Sequence, residues 1–316
     1  MKIVSKSIIG LELDSKEIRA VEVSGSKQKP VVINWGTIEL PEGIVKGGRV
    51  SDKQLFPVYL TKLFNENGFK SKDVILGVNN QDVIVRFANL PKVSKDKIKN
   101  MIRFQAKDYI PVPIEEIELD YIVLDEKNTE NGEQLNLMLV GARRNMLKDF
   151  IEVFTNARLT VREIDSTMLA LGRSVLIESD GGNFALVCFN NDMGNILIFS
   201  NGILAVARSV TLPHSNDSIR QKMEKTAELL LTEISTSIEY HKMQKNEDVD
   251  KIFVMGNCEE QEIVADILKE TTGLTVETPD PYISLNHKAH KASFKTFHAP
   301  DYLASISLAI RGLGEK

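Results

Sequence analysis

Two tight turns carry the polar residues best suited to binding a small anionic ligand. The first runs from Glu12 to Lys16 and includes Asp14 and Ser15. The second is the segment NNDMG at residues 190–194. A tight β-turn can direct backbone N–H groups at phosphate oxygens, and a nearby carboxylate can hold Mg²⁺ through water. Two such turns that faced each other across a cleft would clamp a nucleotide.

Both turns lack glycine where the backbone would approach a phosphate most closely, and glycine is the residue that best allows such an approach. The pattern alone therefore leaves nucleotide binding open. The chain has no GxxxxGK[ST] or GxGxxG phosphate loop and no GxSxG nucleophile motif. His287 and His290 have the spacing of a metal pair, but lysines surround them. We expect neither a metal site nor a catalytic residue.

The two turns occur in matching contexts, which indicates an internal repeat. A strand–polar turn–strand–turn–strand pattern occupies residues 7–40 and returns at residues 184–210. The length of 316 residues also favours two domains over one. We therefore predict two related α/β halves.

The segment between Leu90 and Leu124 carries a different signal. Residues 92–107 are strongly basic and have the apolar spacing of an amphipathic helix. Pro111 and Pro113 end this helix, and an acidic strand follows at residues 115–126. This arrangement suggests a docking surface, and it also fits an ordinary helix and edge strand with solvated outer faces.

Composition excludes several classes of protein. The formal net charge of −5 argues against a dedicated nucleic-acid-binding protein. No apolar run reaches the ~18–20 residues needed to span a bilayer, and the N-terminus lacks the apolar region of a secretory signal. We expect a cytosolic protein in which Cys188 and Cys258 are buried structural thiols.

Three longer segments carry a family resemblance. They are VIVRFANLP (83–91), FQAKDYIPVPIEEIELDYIVL (104–124) and LNLMLVGARRNMLKDFIEVFTNARLTVREIDSTMLALGRS (135–174). These segments are similar to the PilM family, the actin-like proteins of type IV pilus assembly, which are related in fold to FtsA. The resemblance extends over nearly the whole chain.

The resemblance implies an α/β fold of the actin-like, ribonuclease H-like duplicated type with an inserted 1C-type subdomain. Subdomain 1A would comprise residues 1–40, 142–178 and 301–316. Subdomain 1C would comprise residues 41–141. Residues 179–300 would form the second actin-like domain, with a reduced 2B region.

The resemblance also implies a function and its partners. In the family, a groove between subdomains 1A and 1C binds the N-terminal cytoplasmic peptide of the inner-membrane protein PilN. The chain would then be a cytoplasmic adaptor or homo-oligomeric ring at the inner face of the membrane, coupling a PilN-like protein to the pilus motor ATPases. Apolar residues of the groove would bury peptide side chains, and Arg86 and Gln105 would hold its backbone or a polar anchor. The expected groove residues are Arg86, Leu90, Phe104, Gln105, Tyr109, Ile110, Pro111 and Ile114.

The two tight turns, which correspond to the phosphate hairpins of the family and which we call the phosphate turns, depart from the family pattern. Glu12 stands in place of Asp, Asp14 and Asn190 in place of Gly, and Cys188 in place of Asp. A carboxylate added about 4 Å from a phosphate charge costs on the order of 4 kcal/mol at an effective dielectric constant near 20. We therefore expect binding of ATP and Mg²⁺ to be weakened or lost and efficient hydrolysis to be absent. If the chain keeps a cofactor site, its residues are Glu12, Asp14, Ser15, Lys16, Asp165, Asn190, Asn191, Gly256 and Asn257.

Two alternative functions stay open. One is an active ATPase whose nucleotide state drives assembly. The other is a filament-forming cytoskeletal protein like FtsA. Residues 311–316 are too short and polar for the amphipathic membrane helix that ends FtsA, which argues against the second alternative.

Overall fold

The computed structural model describes residues 7–129, 132–214, 217–256, 258–287 and 296–314. Within these ranges the chain forms two five-stranded sheets, one three-stranded sheet and one two-stranded ribbon. None of the helices in these ranges is long and apolar enough to cross a membrane.

The first five-stranded sheet consists of strands from the N-terminal half of the chain and of one strand at residues 160–166. Its strands are β1 (Ile8–Leu13), β2 (Glu17–Ser26), β3 (Lys29–Glu39), β6 (Asp73–Val78) and β10 (Thr160–Ser166). They lie in the spatial order β10-β6-β1-β2-β3. The ribbon follows β3 and consists of β4 (Val45–Lys46) and β5 (Arg49–Val50).

The second five-stranded sheet lies in the later part of the chain. Its strands are β11 (Asn183–Phe189), β12 (Met193–Ser200), β13 (Ile203–Thr211), β14 (Lys251–Met255) and β15 (Thr275–Glu277). They lie in the spatial order β13-β12-β11-β14-β15. Mainly apolar residues, Val, Ile and Phe among them, fill β11 and β12, and nearly every position of these strands is buried.

The two sheets have the same topology. In the first, β1 pairs antiparallel with β2 and parallel with β6. In the second, β11 pairs antiparallel with β12 and parallel with β14. The outer strands continue both patterns, with β3 and β13 antiparallel and β10 and β15 parallel to their neighbours. This duplication confirms the predicted pair of related halves. We call the half built on the first five-stranded sheet the first lobe and the half built on the second five-stranded sheet the second lobe.

Seven named helices cover the sheets within the described ranges. They are α1 (Phe56–Asn67), α2 (Lys95–Gln105), α3 (Arg144–Asn156), α4 (Thr167–Val175), α5 (Ile219–Lys245), α6 (Cys258–Thr272) and α7 (Leu303–Gly312). Helix α5 begins with a capping box, in which the Ser218 hydroxyl and the Gln221 side chain each accept from the other's backbone N–H. Helix α1 ends at Gly68, whose φ of 67° suits glycine.

Helix α7 packs directly on strand β1, and Gly10 makes this close approach possible. A Cβ atom added at Gly10 would lie 1.9 Å from the carbonyl oxygen of Ser305. One apolar cluster contains Val21 and Trp35 of the first sheet together with Phe184 and Leu197 of the second. The two lobes therefore share a core rather than touching only through polar surfaces.

A three-stranded sheet is inserted into the first lobe. It consists of β7 (Val83–Pro91), β8 (Ile117–Thr129) and β9 (Gly132–Arg143), in the spatial order β7-β9-β8. Strand β6 lies inside the predicted insertion of residues 41–141, yet it pairs with β1 and β10 in the first sheet. The three-stranded sheet of the insertion thus begins only at Val83, although the subdomain boundaries as such stay a prediction.

Candidate functional site

The register of the inserted sheet separates its side chains into two faces. Asp120 pairs with Val140, and Ile122 pairs with Met138. Side chains of directly paired residues lie on the same face, so these four share one face of the sheet. The opposite face, which includes Leu137 and Leu139, packs against helix α2.

The face away from α2 forms one wall of a cavity of about 600 Å³, which we call the apolar groove. Its other walls come from helices α3 and α4, from strands β10, β12 and β13, and from the turn between β12 and β13. A cavity of this size falls within the range of about 300–1,000 Å³ that is usual for ligand pockets. The aliphatic residues along it are Val78, Val83, Ile122, Val123, Leu124, Met138, Val140, Ala142, Leu147, Ile151, Ile164, Leu169, Leu176, Leu197, Ile203 and Leu204.

Several of these aliphatic side chains are exposed to solvent in the free protein. Ile122 is 51% exposed, Ile151 is 50% exposed and Ile203 is 38% exposed. They come from the insertion, the first lobe and the second lobe respectively. A contiguous exposed apolar surface of this kind usually marks an interaction site.

Charged groups lie at the two sides of the apolar groove. Asp165 is 8% exposed and accepts from Arg173 Nη2 at 2.5 Å and from Arg311 Nη1 at 2.9 Å. Glu118 and Asp120 project from the wall formed by β8. Asp165, which we considered for cofactor binding, thus forms part of the apolar groove and is already paired with two arginines.

The residues predicted to bind a partner peptide lie elsewhere, around α2. Leu90 and Ile110 are buried in the small cores beneath that helix. Phe104 is 76% exposed, with Lys107 Nζ 5.3 Å from its ring centroid. Arg86 Nη1 donates to the carbonyl oxygen of Val85 at 2.8 Å.

The other predicted residues share this location. Gln105 ends α2, Tyr109 packs against both small cores, and Pro111 is exposed in the segment that follows. Ile114 lines a cavity of about 290 Å³ between α2 and β8. None of the eight predicted residues lines the apolar groove. Their role in partner binding stays a prediction, beside which the apolar groove is a second candidate surface.

One feature of the sequence points to the apolar groove. In β8 the acidic residues alternate with apolar ones up to Asp120, but both Ile122 and Val123 are apolar and exposed. An edge strand that is apolar on both faces indicates a neighbour on each side. The other walls come from residues distant in the chain, so the cavity itself had no local signature.

The two polar turns meet at the cleft between the lobes. Asp14 Oδ1 accepts from the backbone N–H groups of Lys16 at 2.8 Å and Glu17 at 3.1 Å within its own turn. Asp14 Oδ2 accepts from Asn191 of the second lobe, at 2.9 Å from Nδ2 and 3.4 Å from the backbone N–H. The predicted facing of the two turns is therefore observed.

Asp192 makes the reciprocal contact. Its Oδ2 accepts from the backbone N–H of Ser15 at 2.8 Å and from that of Gly48 at 3.0 Å. Its Oδ1 has no hydrogen bond among the described residues, although His214 Nε2 lies 3.4 Å away, within ion-pair distance. Lys222 Nζ donates to Asn191 Oδ1 at 3.0 Å, and burial lowers the pKa of this lysine.

The remaining predicted cofactor residues lie on either side of this contact. Glu12, Asn190 and Gly256 line a cavity of only about 40 Å³, whereas Ser15 and Lys16 line an open cavity of about 580 Å³. Asn257 lies outside the described residues. Burial raises the pKa of Glu12 to about 7, against the opposing effect of the Arg19 charge. Cys188 is buried, as predicted, and the side chain of Cys258 lies outside the described part of the structure.

Comparison with known proteins agrees with this architecture. A family model described as type IV pilus assembly protein PilM matches residues 10–181. The structure of a PilM–PilN type IV pilus biogenesis complex matches with a TM-score of 0.83 and 20% identity, covering 98% of this chain and 99% of that one.

Two more distant structures share the fold. The cytoplasmic domain of EpsL, an inner-membrane component of the type II secretion system of Vibrio cholerae, matches with a TM-score of 0.51 and 10% identity, covering 96% of this chain and 94% of that one. The ethanolamine utilization protein EutJ from Carboxydothermus hydrogenoformans matches with a TM-score of 0.54 and 10% identity, covering 99% and 91%. With the duplicated sheets, these matches confirm the predicted actin-like fold.

Proposed function

Because the chain belongs to the PilM family of type IV pilus assembly proteins, we propose that it is an adaptor that binds a peptide of a PilN-like protein in the apolar groove. The likeness to the PilM chain of a PilM–PilN complex supports the identity of the partner. The observation that carries the choice of surface is the set of exposed aliphatic side chains that line the apolar groove, of which Ile122, Ile151 and Ile203 are examples.

The peptide binds in an extended conformation beside β8. This strand is at the edge of the inserted sheet and pairs only with β9 among the described residues. Consecutive residues from Asp120 to Leu124 line the apolar groove, as expected where the edge of a strand as well as one of its faces borders a cavity. A free strand edge offers backbone hydrogen bonds to an added strand, and the aliphatic walls take its alternate side chains.

Peptide titration calorimetry tests this proposal. Ile122→Asp places a charge in the apolar groove and is expected to weaken binding of a synthetic PilN N-terminal peptide at least about tenfold, the effect of 1.4 kcal/mol. Ile219→Asp is the matched control, because Ile219 is 56% exposed and lies outside the apolar groove. N-methylation at alternate peptide residues should weaken binding if the backbone pairs with β8.

A parallel titration distinguishes the apolar groove from the surface around α2. Phe104→Asp and Tyr109→Ala should leave peptide affinity unchanged if the apolar groove is the site. Loss of affinity in these two variants, with full binding by Ile122→Asp, would instead assign the peptide to the α2 surface.

The α2 surface remains accessible when the apolar groove is occupied, because α2 covers the other face of the inserted sheet. Its cations form no ion pair among the described residues; they are Lys95, Lys97, Lys99, Arg103 and Lys107. With the exposed Phe104 they form a basic surface suited to an acidic protein partner. We propose this surface for the motor ATPases, and charge reversal at Lys99 and Arg103 should abolish their co-purification while peptide binding persists.

In this proposal the PilN-like partner attaches the chain to the inner face of the cytoplasmic membrane. A homo-oligomeric ring would place several copies of this adaptor at the membrane. Concentration-dependent sedimentation tests for the ring and separates it from an open filament of the FtsA kind.

We also propose that the adaptor works without ATP turnover, since carboxylates lie at both phosphate turns. Equilibrium dialysis with Mg-ATP tests this, and micromolar binding would favour the ATPase alternative.

A further inference from the structure

We infer that Asp14 and Asp192 act as built-in anions: each binds the turn of the opposite lobe where a phosphate would otherwise bind, and together they latch the interlobe cleft without a ligand. The contacts are reciprocal. Asp192 accepts from Ser15 N–H at 2.8 Å, and Asp14 accepts from Asn191 Nδ2 at 2.9 Å and from its backbone N–H at 3.4 Å. We call this set of contacts the carboxylate latch.

Burial makes the carboxylate latch selective against outside anions. Asp14 is 4% exposed and Asp192 is not exposed at all. Two carboxylates enclosed at this depth repel a phosphate group strongly, because the effective dielectric there is well below that of water. A phosphate would have to displace a carboxylate from the same N–H groups and then remain beside its charge.

A third turn secures the carboxylate latch. Gly48, between β4 and β5, donates its backbone N–H to Asp192 Oδ2 at 3.0 Å. Its φ is +69°, and an added Cβ would lie 2.3 Å from the carbonyl oxygen of Asn79. Asn80 Nδ2 donates to the Gly48 carbonyl oxygen at 2.9 Å, which holds the turn in place. The second lobe is thus bound to two separate turns of the first.

Cations complete the site around the carboxylate latch. Lys222 is 8% exposed and donates to Asn191, and Lys16 lies beside it in the open cavity of about 580 Å³. In the wild type these lysines compensate the two carboxylates of the latch. With the aspartates replaced by asparagine, the lysines would leave a positively charged cradle of backbone N–H groups, which suits pyrophosphate or the phosphates of a nucleotide.

Calorimetry with inorganic pyrophosphate, with and without Mg²⁺, tests the inference on the full chain. The wild type should give no binding at millimolar pyrophosphate, and Asp14→Asn and Asp192→Asn should each raise the affinity at least about tenfold by removing a repelling charge. The control is Glu22→Gln, which alters a 1% exposed carboxylate that accepts from the backbone N–H groups of Lys70 and Ser71, away from the carboxylate latch. Equal affinity of the wild type and the two latch variants, or Mg²⁺-dependent binding by the wild type, would overturn the inference.

Amide hydrogen exchange of the wild type keeps the test decisive if a variant fails to fold. The N–H groups of Ser15 and Gly48 should be protected to the level of the strand cores, because the lobes must separate before they exchange. Exchange at the rate of an exposed turn would overturn the inference. Binding of the PilN peptide is measured on the same variants, so loss of the latch and loss of the proposed peptide function are separate results.

Discussion

The carboxylate of Asp192 in the second lobe accepts a hydrogen bond from the backbone N–H of Ser15 in the first lobe, at 2.8 Å and across 177 positions of the chain. In an actin-like fold this is where two turns face each other across the cleft. A contact made by the protein itself thus holds the two lobes closed at this point of the cleft. The apolar groove includes residues of both lobes and of the insertion, and its shape therefore depends on this closure.

Removal of the Asp192 carboxylate should destabilise the protein. Asp192→Ala leaves the N–H groups of Ser15 and Gly48 without their acceptor in a buried position. Hydrogen bonds to charged groups contribute about 1.5–3 kcal/mol each, and an unsatisfied buried donor costs about as much, so we expect a loss of about 3 kcal/mol in the free energy of unfolding. Urea denaturation followed by the fluorescence of Trp35, the single tryptophan, measures it.

The matched control for this prediction is Asp248→Ala. The side chain of Asp248 is 72% exposed and pairs with Lys242 at the surface. Exposed ion pairs contribute about 0–1 kcal/mol, so this variant should resemble the wild type. Equal stability of Asp192→Ala and Asp248→Ala would mean that the interlobe contact contributes nothing to the fold.

Gly10→Ala should be more damaging than an ordinary surface substitution. The added methyl group would meet the Ser305 carbonyl oxygen at 1.9 Å and the Ala309 backbone nitrogen at 2.6 Å, so helix α7 must move away from β1. Overpacking a core costs about 1–3 kcal/mol and occasionally more, and we expect the upper end because both contacts are to backbone. Gly314→Ala, which meets nothing within 4 Å, is the control in the same thermal unfolding experiment.

The sequence predicted the parts of this molecule that depend on local pattern. Strand–turn–strand periodicity identified both copies of the repeat, and the residue types of Asp14 and the 190–194 turn identified the cleft. The hydrogen bonds that Asn191 donates to Asp14 were not predicted, because local pattern does not specify a contact across 177 positions. The departures from the family pattern suggested repulsion of phosphate by Glu12 and Asp14, whereas the structure shows that Asp14 also accepts hydrogen bonds from the turn of the second lobe.

Local sequence pattern could not identify the apolar groove as a candidate surface for the partner peptide. A basic helix and Pro-x-Pro segment drew attention to residues such as Phe104 and Tyr109. The apolar groove lies on the opposite face of the same sheet, and only the register of β8 against β9 assigns Ile122 to that face. A shift of one residue would exchange the two faces, so the assignment needs the long-range pairing.

Gly48 and Gly47 offer a test of the third turn that separates backbone strain from crowding. Both have positive φ, +69° and +55°, so alanine is strained at either position. An added Cβ at Gly48 would lie 2.3 Å from the Asn79 carbonyl oxygen, whereas one at Gly47 meets nothing within 4 Å. Gly48→Ala should therefore lower the melting temperature clearly more than Gly47→Ala and should speed amide exchange at Ser15. Similar behaviour of the two variants would show that the turn does not support the Asp192 contact.

Glu12 should make stability depend on pH near neutrality. Burial raises its pKa from 4.5 to about 7, with Asp14 and Glu17 adding to this effect and Arg19 opposing it. The native state therefore holds a proton that the unfolded chain has released, and stability falls as pH rises from about 4.5 to about 7, by about 3 kcal/mol for a shift of this size. Glu12→Gln cannot ionise, so its stability relative to the wild type should increase with pH over this range and then level off. Glu66→Gln, at an exposed position of α1, should follow the wild-type profile. Parallel wild-type and Glu12→Gln profiles would contradict the burial of an ionisable carboxyl group at this position.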